Sequence, residues 1–159
     1  MRRQIKSGIS RALAFTGADR VVGAIGGAIS GPLVVGYHRV VKDRATLPPG
    51  SIRSMVVTAR TFEKHVDWLA QHYRLMTLDE IGARLEEGGP FEDKPAAITF
   101  DDGYADLYEN ALPILRRKGI PAAVFVVTDL VGGSRMQNFD RLSLSLCRLL
   151  WTPGGSAPT

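Results

Sequence analysis

Cysteine is nearly absent from this 159-residue sequence, and long apolar runs are missing as well. The single cysteine, Cys147, excludes an internal disulfide and a multi-cysteine zinc site, and it says little about compartment. A membrane-spanning helix needs about 20 consecutive apolar residues, whereas the apolar run at residues 21–29 is short and interrupted by glycines. The basic start and the short apolar run at residues 12–15 do not make a convincing signal peptide, so cytoplasmic and cell-envelope locations both stay open.

An excess of one charge is also lacking beyond the first twenty residues. Residues 1–20 contain five basic residues and one acidic residue, and the rest of the chain carries fifteen of each sign. A neutral body without a basic stripe is a poor footprint for nucleic acid, so we expect no nucleic-acid partner. The basic segment at residues 1–30 predicts an amphipathic helix with Ile5, Ile9 and Leu13 on one face. Weak contact with a membrane surface is its functional alternative.

Apolar runs with strand character alternate with stretches of helical periodicity along the middle of the chain. Strands are predicted at residues 33–37, 73–76, 96–100 and 122–127. Two helices are predicted to begin near the N-caps Thr61 and Thr77. Two more are predicted at residues 104–118, with a break near Pro113, and at residues 139–149. This alternation predicts an α/β domain over residues 31–150 with a parallel sheet, followed by an unstructured tail at 151–159. In such folds the functional groups lie at the carboxyl ends of the strands.

Two adjacent carboxylates, Asp101 and Asp102, follow the third predicted strand directly and precede Gly103. Adjacent carboxylates repel each other unless a cation or a proton lies between them, and Gly103 allows a sharp turn that lets both converge on one cleft. A divalent metal held by one aspartate would leave the other as a general base beside a Lewis acid, the requirement for metal-assisted hydrolysis. The alternative, that the two acids only cap the following helix, fits the spacing equally well.

Other motifs built around such a pair are excluded by the neighbouring residues. Gly103 occupies the third position, where a calcium loop needs an oxygen ligand and an aspartyl-phosphate phosphatase needs a second aspartate. The sequence also contains neither a glycine-rich phosphate loop ending in Lys and Ser/Thr nor a Gly-x-Ser-x-Gly elbow.

Four segments in the same order resemble the polysaccharide deacetylase family, also called the NodB-homology domain. They are residues 36–40 (GYHRV), 99–103 (TFDDG), 111–115 with 119–122 (ALPIL and GIPA), and 124–126 (VFV). Residues 140–142 (DRL) are similar to an insertion seen in some members, so the resemblance runs from about residue 33 to 142. It implies a partial, apparently truncated, distorted (β/α) TIM-like barrel. It also implies a hydrolase that removes acetyl groups from polysaccharides or oligosaccharides, acting on carbon–nitrogen bonds other than peptide bonds.

The same resemblance assigns roles to the two aspartates. Asp101 matches the catalytic base, and Asp102 matches the metal-binding aspartate of a site that commonly holds zinc. The family completes this site with two histidines in a His-Ser/Thr-x-x-His motif, and this sequence has no histidine after His72. His65 and His72 are two helical turns apart, too far to chelate one ion, and His38 is expected to support the pocket rather than to bind metal. We therefore expect little or no deacetylase activity from this chain alone.

Two other functions stay open at this point. One is a non-catalytic carbohydrate-binding or interaction module that keeps the sugar cleft without the metal. The other is a membrane-associated structural fragment that uses residues 1–30. Zinc binding that is lost in Asp102→Ala would favour the enzyme, and liposome sedimentation that depends on residues 1–30 would favour the membrane fragment.

Overall fold

The structure is a computed structural model that describes residues 31–88 and 90–150, so the predicted N-terminal segment and the predicted tail lie outside the described residues. Its strands are β1 (Leu33–Tyr37), β2 (Arg39–Val41), β3 (Val56–Thr58), β4 (Arg74–Leu75), β5 (Pro95–Phe100) and β6 (Ala123–Val124). Its α-helices are α1 (Ala59–His72), α2 (Leu78–Glu87), α3 (Leu112–Lys118) and α4 (Asn138–Leu150). Short 3-10 turns lie at Arg44–Thr46, Arg53–Met55 and Thr128–Leu130, and a π-helical turn lies at Leu107–Ala111. None of the helices in the described ranges has the length and apolarity that crossing a membrane requires.

Strand β5 is the centre of a parallel sheet. It pairs with all of β1 through residues 96–100. It pairs with β4 at its start and with β6 at its end. All six residues of β5 are buried, as expected for a strand of a parallel sheet that is covered on both faces. Strands β2 and β3 form a separate two-stranded parallel sheet. The predicted α/β class with a parallel sheet is therefore confirmed.

An aromatic cluster joins α1 to the ends of β1 and β5. The ring of Phe62 meets Tyr37 edge-on at 5.1 Å between centroids and lies 5.6 Å from the ring of Phe100. Val66 and Leu69 continue the buried face of α1. Truncating a buried phenylalanine to alanine typically costs about 3–5 kcal/mol. This cluster therefore holds the ends of β1 and β5 in place, and with them the residues that follow each strand.

Local sequence signals predicted the ends of α2 correctly and misplaced the start of α1. Helix α2 begins with a capping box between Thr77 and Glu80 and ends at Gly88 in the left-handed conformation, as predicted. The predicted cap of α1 is wrong by one turn. The N-cap is Thr58, because its hydroxyl accepts a hydrogen bond from the backbone N–H of Thr61 at 3.2 Å.

The strands differ from the prediction in two places, each for its own physical reason. The run at residues 122–127 contains only the two-residue strand β6, and Phe125 and Val126 after it are about half exposed. Valine and phenylalanine favour strands, but strand propensity does not supply a partner strand. Strands β2 and β3 have three residues each and were not predicted, since so short a run carries no periodicity. The predicted break near Pro113 corresponds to the change from the π-helical turn to α3 at Leu112.

Candidate active site

The carboxyl ends of β1 and β5 meet at one edge of the sheet, and the candidate residues follow both strands. The backbone N–H of Asp101 donates to the carbonyl of Tyr37 at 2.8 Å, which fixes the two strand ends together. Beyond this bond, Nε2 of His38 lies 3.8 Å from Oδ2 of Asp101. Their side chains are 38% and 45% exposed, so both reach solvent at the mouth of the site. The structure therefore brings His38 and Asp101 together.

The backbone turns sharply at Asp102. Its φ of +69° is left-handed, and Gly103 follows with a φ of +66°. A non-glycine residue in this region costs roughly 1–2 kcal/mol, so the surrounding contacts must hold it there. Oδ1 of Asp102 accepts a hydrogen bond from Nε2 of Gln137 at 3.1 Å. Oδ2 of Asp102 is buried and has no hydrogen-bond partner in the described part of the chain.

The electrostatic setting of Asp102 disfavours its ionised form. Burial raises the pKa of its carboxyl above the ordinary value, and the carboxylates of Asp101 and Asp140 add to that rise, while His38 opposes it. A bound cation would reverse this balance, because an opposite charge favours the ionised form. Within residues 31–88 and 90–150 no backbone N–H donates to the carboxylate of Asp101 or Asp102, so the helix-capping alternative finds no support there.

A cavity of about 520 Å³ opens beside Asp102. Its lining includes Arg39, Tyr104, Gln137 and Asp140, so it offers both donors and acceptors. The hydroxyl of Tyr104 donates to Oδ2 of Asp140 at 2.7 Å, and the guanidinium of Arg39 lies 4.9 Å from the centre of the Tyr104 ring. Burial and the Asp140 carboxylate raise the pKa of the Tyr104 hydroxyl. Tyr104 therefore remains a neutral hydrogen-bond donor at physiological pH.

Asp106 holds Arg39, one of the residues that line this cavity. Oδ2 of Asp106 accepts from Nε of Arg39 at 2.8 Å, and Oδ1 accepts from the backbone N–H of Val40 at 3.2 Å. Asn110 completes the link, since its side-chain amide donates to the carbonyl of Val40 at 2.9 Å. These bonds tie β2 to the segment that follows Asp101 and Asp102. Neither Asp106 nor Gln137 was singled out from the sequence, because their partners lie far away along the chain.

A larger cavity of about 660 Å³ is lined by residues of α3, of β6 and of the segment after β5, and its lining is mostly apolar. Val124 and Val126 line it and are about half exposed. Asp102 lines the smaller cavity and not this one, so we place the chemistry at the smaller cavity.

Asp102 fits the role of a ligand to a divalent cation. Its Oδ2 is a carboxylate oxygen, the ligand type that hard cations prefer, and it lies buried with no donor to satisfy it. The described ranges contain no cluster of three His, Cys, Asp or Glu side chains that could hold an ion by themselves, whereas zinc sites usually have at least three protein ligands. His65 and His72 do not join Asp102. His65 contacts the hydroxyl of Tyr37 at 3.2 Å, and His72 contacts the carbonyl of Trp68 at 2.7 Å.

Comparisons with known proteins show which proteins the chain is similar to. The family model of polysaccharide deacetylase matches residues 88–143, which contain both aspartates and Gln137. The poly-β-1,6-N-acetyl-D-glucosamine N-deacetylase of Staphylococcus epidermidis is 34% identical over an alignment of 119 residues, and the match covers 70% of this chain and 41% of that protein. The chain is similar to the polysaccharide deacetylases over these matched residues. The enzyme of the same name from Staphylococcus aureus is 31% identical over an alignment of 130 residues, and the match covers 77% of this chain and 44% of that protein.

Solved deacetylase structures share the fold of this chain. IcaB from Ammonifex degensii is 29% identical with a TM-score of 0.56, and the match covers 67% of this chain and 42% of that one. The de-N-acetylase from Aggregatibacter actinomycetemcomitans is 28% identical with a TM-score of 0.50, covering 60% and 37%. The chain thus spans less than half the length of these deacetylase relatives. The family resemblance predicted from the TFDDG segment and its flanks is confirmed.

Proposed function

We propose that this chain is part of a metal-dependent polysaccharide deacetylase that hydrolyses the acetamido group of an N-acetylated sugar polymer. One observation carries the proposal. Asp102 has a buried carboxylate oxygen without a partner, next to the solvent-reaching Asp101, within the segment that the deacetylase family model matches. The staphylococcal relatives are named for poly-β-1,6-N-acetyl-D-glucosamine, so oligomers of this polymer are the first substrate to test.

The fold supports the same proposal. In a (β/α) barrel the reactive side chains come from the carboxyl ends of parallel strands. His38 follows β1 and Asp101 follows β5, and these two strands are parallel neighbours. We therefore propose that the sheet is part of the distorted (β/α) TIM-like barrel that the family resemblance implies.

Asp101 is the residue that we assign to proton transfer. Its exposed carboxylate would accept a proton from the water that attacks the acetyl carbonyl carbon, and would return a proton to the sugar nitrogen as the carbon–nitrogen bond breaks. The products are acetate and a free sugar amine. His38, whose Nε2 lies 3.8 Å from Oδ2 of Asp101, would orient the Asp101 carboxylate.

Asp102 is the residue that we assign to the metal, with zinc as the first ion to consider. When bound, a divalent metal would supply the Lewis acidity that makes water nucleophilic near neutral pH. The cavity beside Asp102 would hold the sugar ring, with Tyr104 as a neutral donor and Asp140 as an acceptor.

We further propose that these 159 residues alone turn over little substrate. The support is the missing three-ligand cluster in the described ranges, since a metal held by one aspartate would exchange too readily to act. The same observation favours a second candidate function, a carbohydrate-binding module that uses the cavity without metal chemistry.

Paramagnetic line broadening by Mn²⁺ tests the metal role, because it detects and localises weak binding to carboxylate oxygens. In the ¹⁵N-labelled chain we expect Mn²⁺ to broaden the amide signals around Asp102 first, and Asp102→Asn to remove this local effect. Asp79→Asn is the matched control, since Asp79 is an exposed carboxylate on α2. Broadening spread evenly over surface carboxylates would overturn the metal role. Shifts caused by the sugar oligomer alone at Tyr104 would then favour the binding module.

A further inference from the structure

Gln137 is the one described side chain that hydrogen-bonds to Asp102. Its position is set by the start of α4, because its carbonyl accepts from the backbone N–H of Arg141 at 2.9 Å. The side-chain amide then reaches back to Oδ1 of Asp102, a residue 35 positions earlier in the chain. The contact therefore links α4 to the turn that follows β5.

Polar contacts hold α4 against the site, since none of its residues is fully buried. Asp140 accepts from the hydroxyl of Tyr104 at 2.7 Å, and the hydroxyl of Ser143 donates to the carbonyl of Gly50 at 2.6 Å. These two bonds lie one and two turns after Gln137 on the helix. Together they fix where the Gln137 amide can reach.

An amide donor has a specific consequence for a carboxylate that must bind a cation. An arginine or lysine at this place would neutralise Asp102 and repel a metal ion. The neutral amide fixes Oδ1 without adding charge, and it leaves Oδ2 buried and without a partner. Hydrogen-bond partners of this kind orient metal ligands, and their removal typically lowers metal affinity about 10–100-fold.

We infer that Gln137 is a positioning residue for Asp102, which holds one carboxylate oxygen so that the other faces a divalent cation. This inference rests on the proposed metal role of Asp102. It makes α4 part of the site, because a shift of that helix would reorient the Asp102 carboxylate without a change in β5.

Mn²⁺ titration of the ¹⁵N-labelled chain tests this inference, with Mn²⁺ alone as the probe. Gln137→Met keeps the length of the side chain and removes its donor, and Gln137→Ala removes both. We expect either variant to raise the Mn²⁺ concentration for half-broadening around Asp102 by about tenfold or more. Gln71→Ala is the matched control, since Gln71 is an exposed amide on α1, and it should leave the titration unchanged.

A double-variant comparison separates positioning from a general loss of structure. If Gln137 acts through Asp102, then Asp102→Asn and Asp102→Asn with Gln137→Met should give the same residual broadening. Equal Mn²⁺ affinity of Gln137→Met and the unmodified chain would overturn the inference and leave the metal role of Asp102 standing. No localised broadening in the unmodified chain would overturn both together.

Discussion

Replacing Gly103 with alanine tests how closely the turn at Asp101 and Asp102 is fitted to Val126, which follows β6. Gly103 has a φ of +66°, and a Cβ built on it would lie 2.8 Å from Cγ1 of Val126. Real Cβ atoms essentially never approach another atom that closely. The substitution therefore combines an unfavourable backbone conformation with a steric clash against Val126.

Gly119 separates these two effects, because it has nearly the same φ, +65°, and nothing within 4 Å of its Cβ position. The left-handed conformation alone should cost Gly119→Ala roughly 1 kcal/mol. Gly103→Ala carries the same cost and an overpacking cost of about 1–3 kcal/mol, so we expect a total loss of about 2–4 kcal/mol.

Urea unfolding followed by circular dichroism measures both losses. The midpoint should fall further for Gly103→Ala than for Gly119→Ala, with unchanged slopes. Adding Val126→Ala should rescue most of the difference, because it removes the atom that clashes. Equal losses for the two glycine variants, or no rescue by Val126→Ala, would refute the close fit of this turn to Val126.

Three further perturbations follow from single contacts. Thr77→Ala should lower the free energy of unfolding by about 0.5–2 kcal/mol, because the Thr77 hydroxyl accepts from the backbone N–H of Glu80 at 3.2 Å; an unchanged urea midpoint would show that the capping box contributes nothing. Burial raises the pKa of the Asp102 carboxyl in the folded chain. In metal-free buffer this shift therefore stabilises the folded chain fully below the unfolded-state pKa, and that stabilisation is lost as pH rises through the folded-state pKa. Asp102→Asn should therefore gain stability relative to the unmodified chain at pH 7 compared with pH 3, and a pH-independent difference in urea midpoint would contradict this. Gly50→Ala places a Cβ 2.5 Å from Cβ of Cys147 and should loosen α4, so the rate at which a thiol reagent modifies Cys147 should rise; an unchanged rate would argue against this contact.

The parts of the fold that could be predicted from the sequence are those encoded by neighbouring residues. The buried run ending at Phe100, the acid pair after it and the capping box at Thr77 each occupy one short segment. A parallel sheet followed from the alternation of strands and helices, and it placed Asp101 at a strand end. His38 and Asp101 then came together because their strands are neighbours in that sheet.

The rest depends on partners that a local pattern does not name. Gln137 reaches Asp102 across 35 positions, and Asp106 reaches Arg39 across 67. Nothing in the residues around Gln137 distinguishes it from an ordinary polar residue before a helix. The length of β6 could not be predicted for a related reason, since valine-rich residues pair only where another strand is available.

Acetate release tests the roles of the two aspartates most directly. The protein to use is a chimera in which the matched segment of this chain replaces the corresponding segment of the Staphylococcus epidermidis deacetylase. On a poly-β-1,6-N-acetyl-D-glucosamine oligomer we expect activity that falls by about 10²–10⁴-fold in Asp101→Asn, the range typical of a lost general base. Asp102→Asn should abolish the metal-dependent part, and Asp79→Asn should leave the rate unchanged. Acetate release that persists at the parent rate in Asp101→Asn or Asp102→Asn would contradict the account.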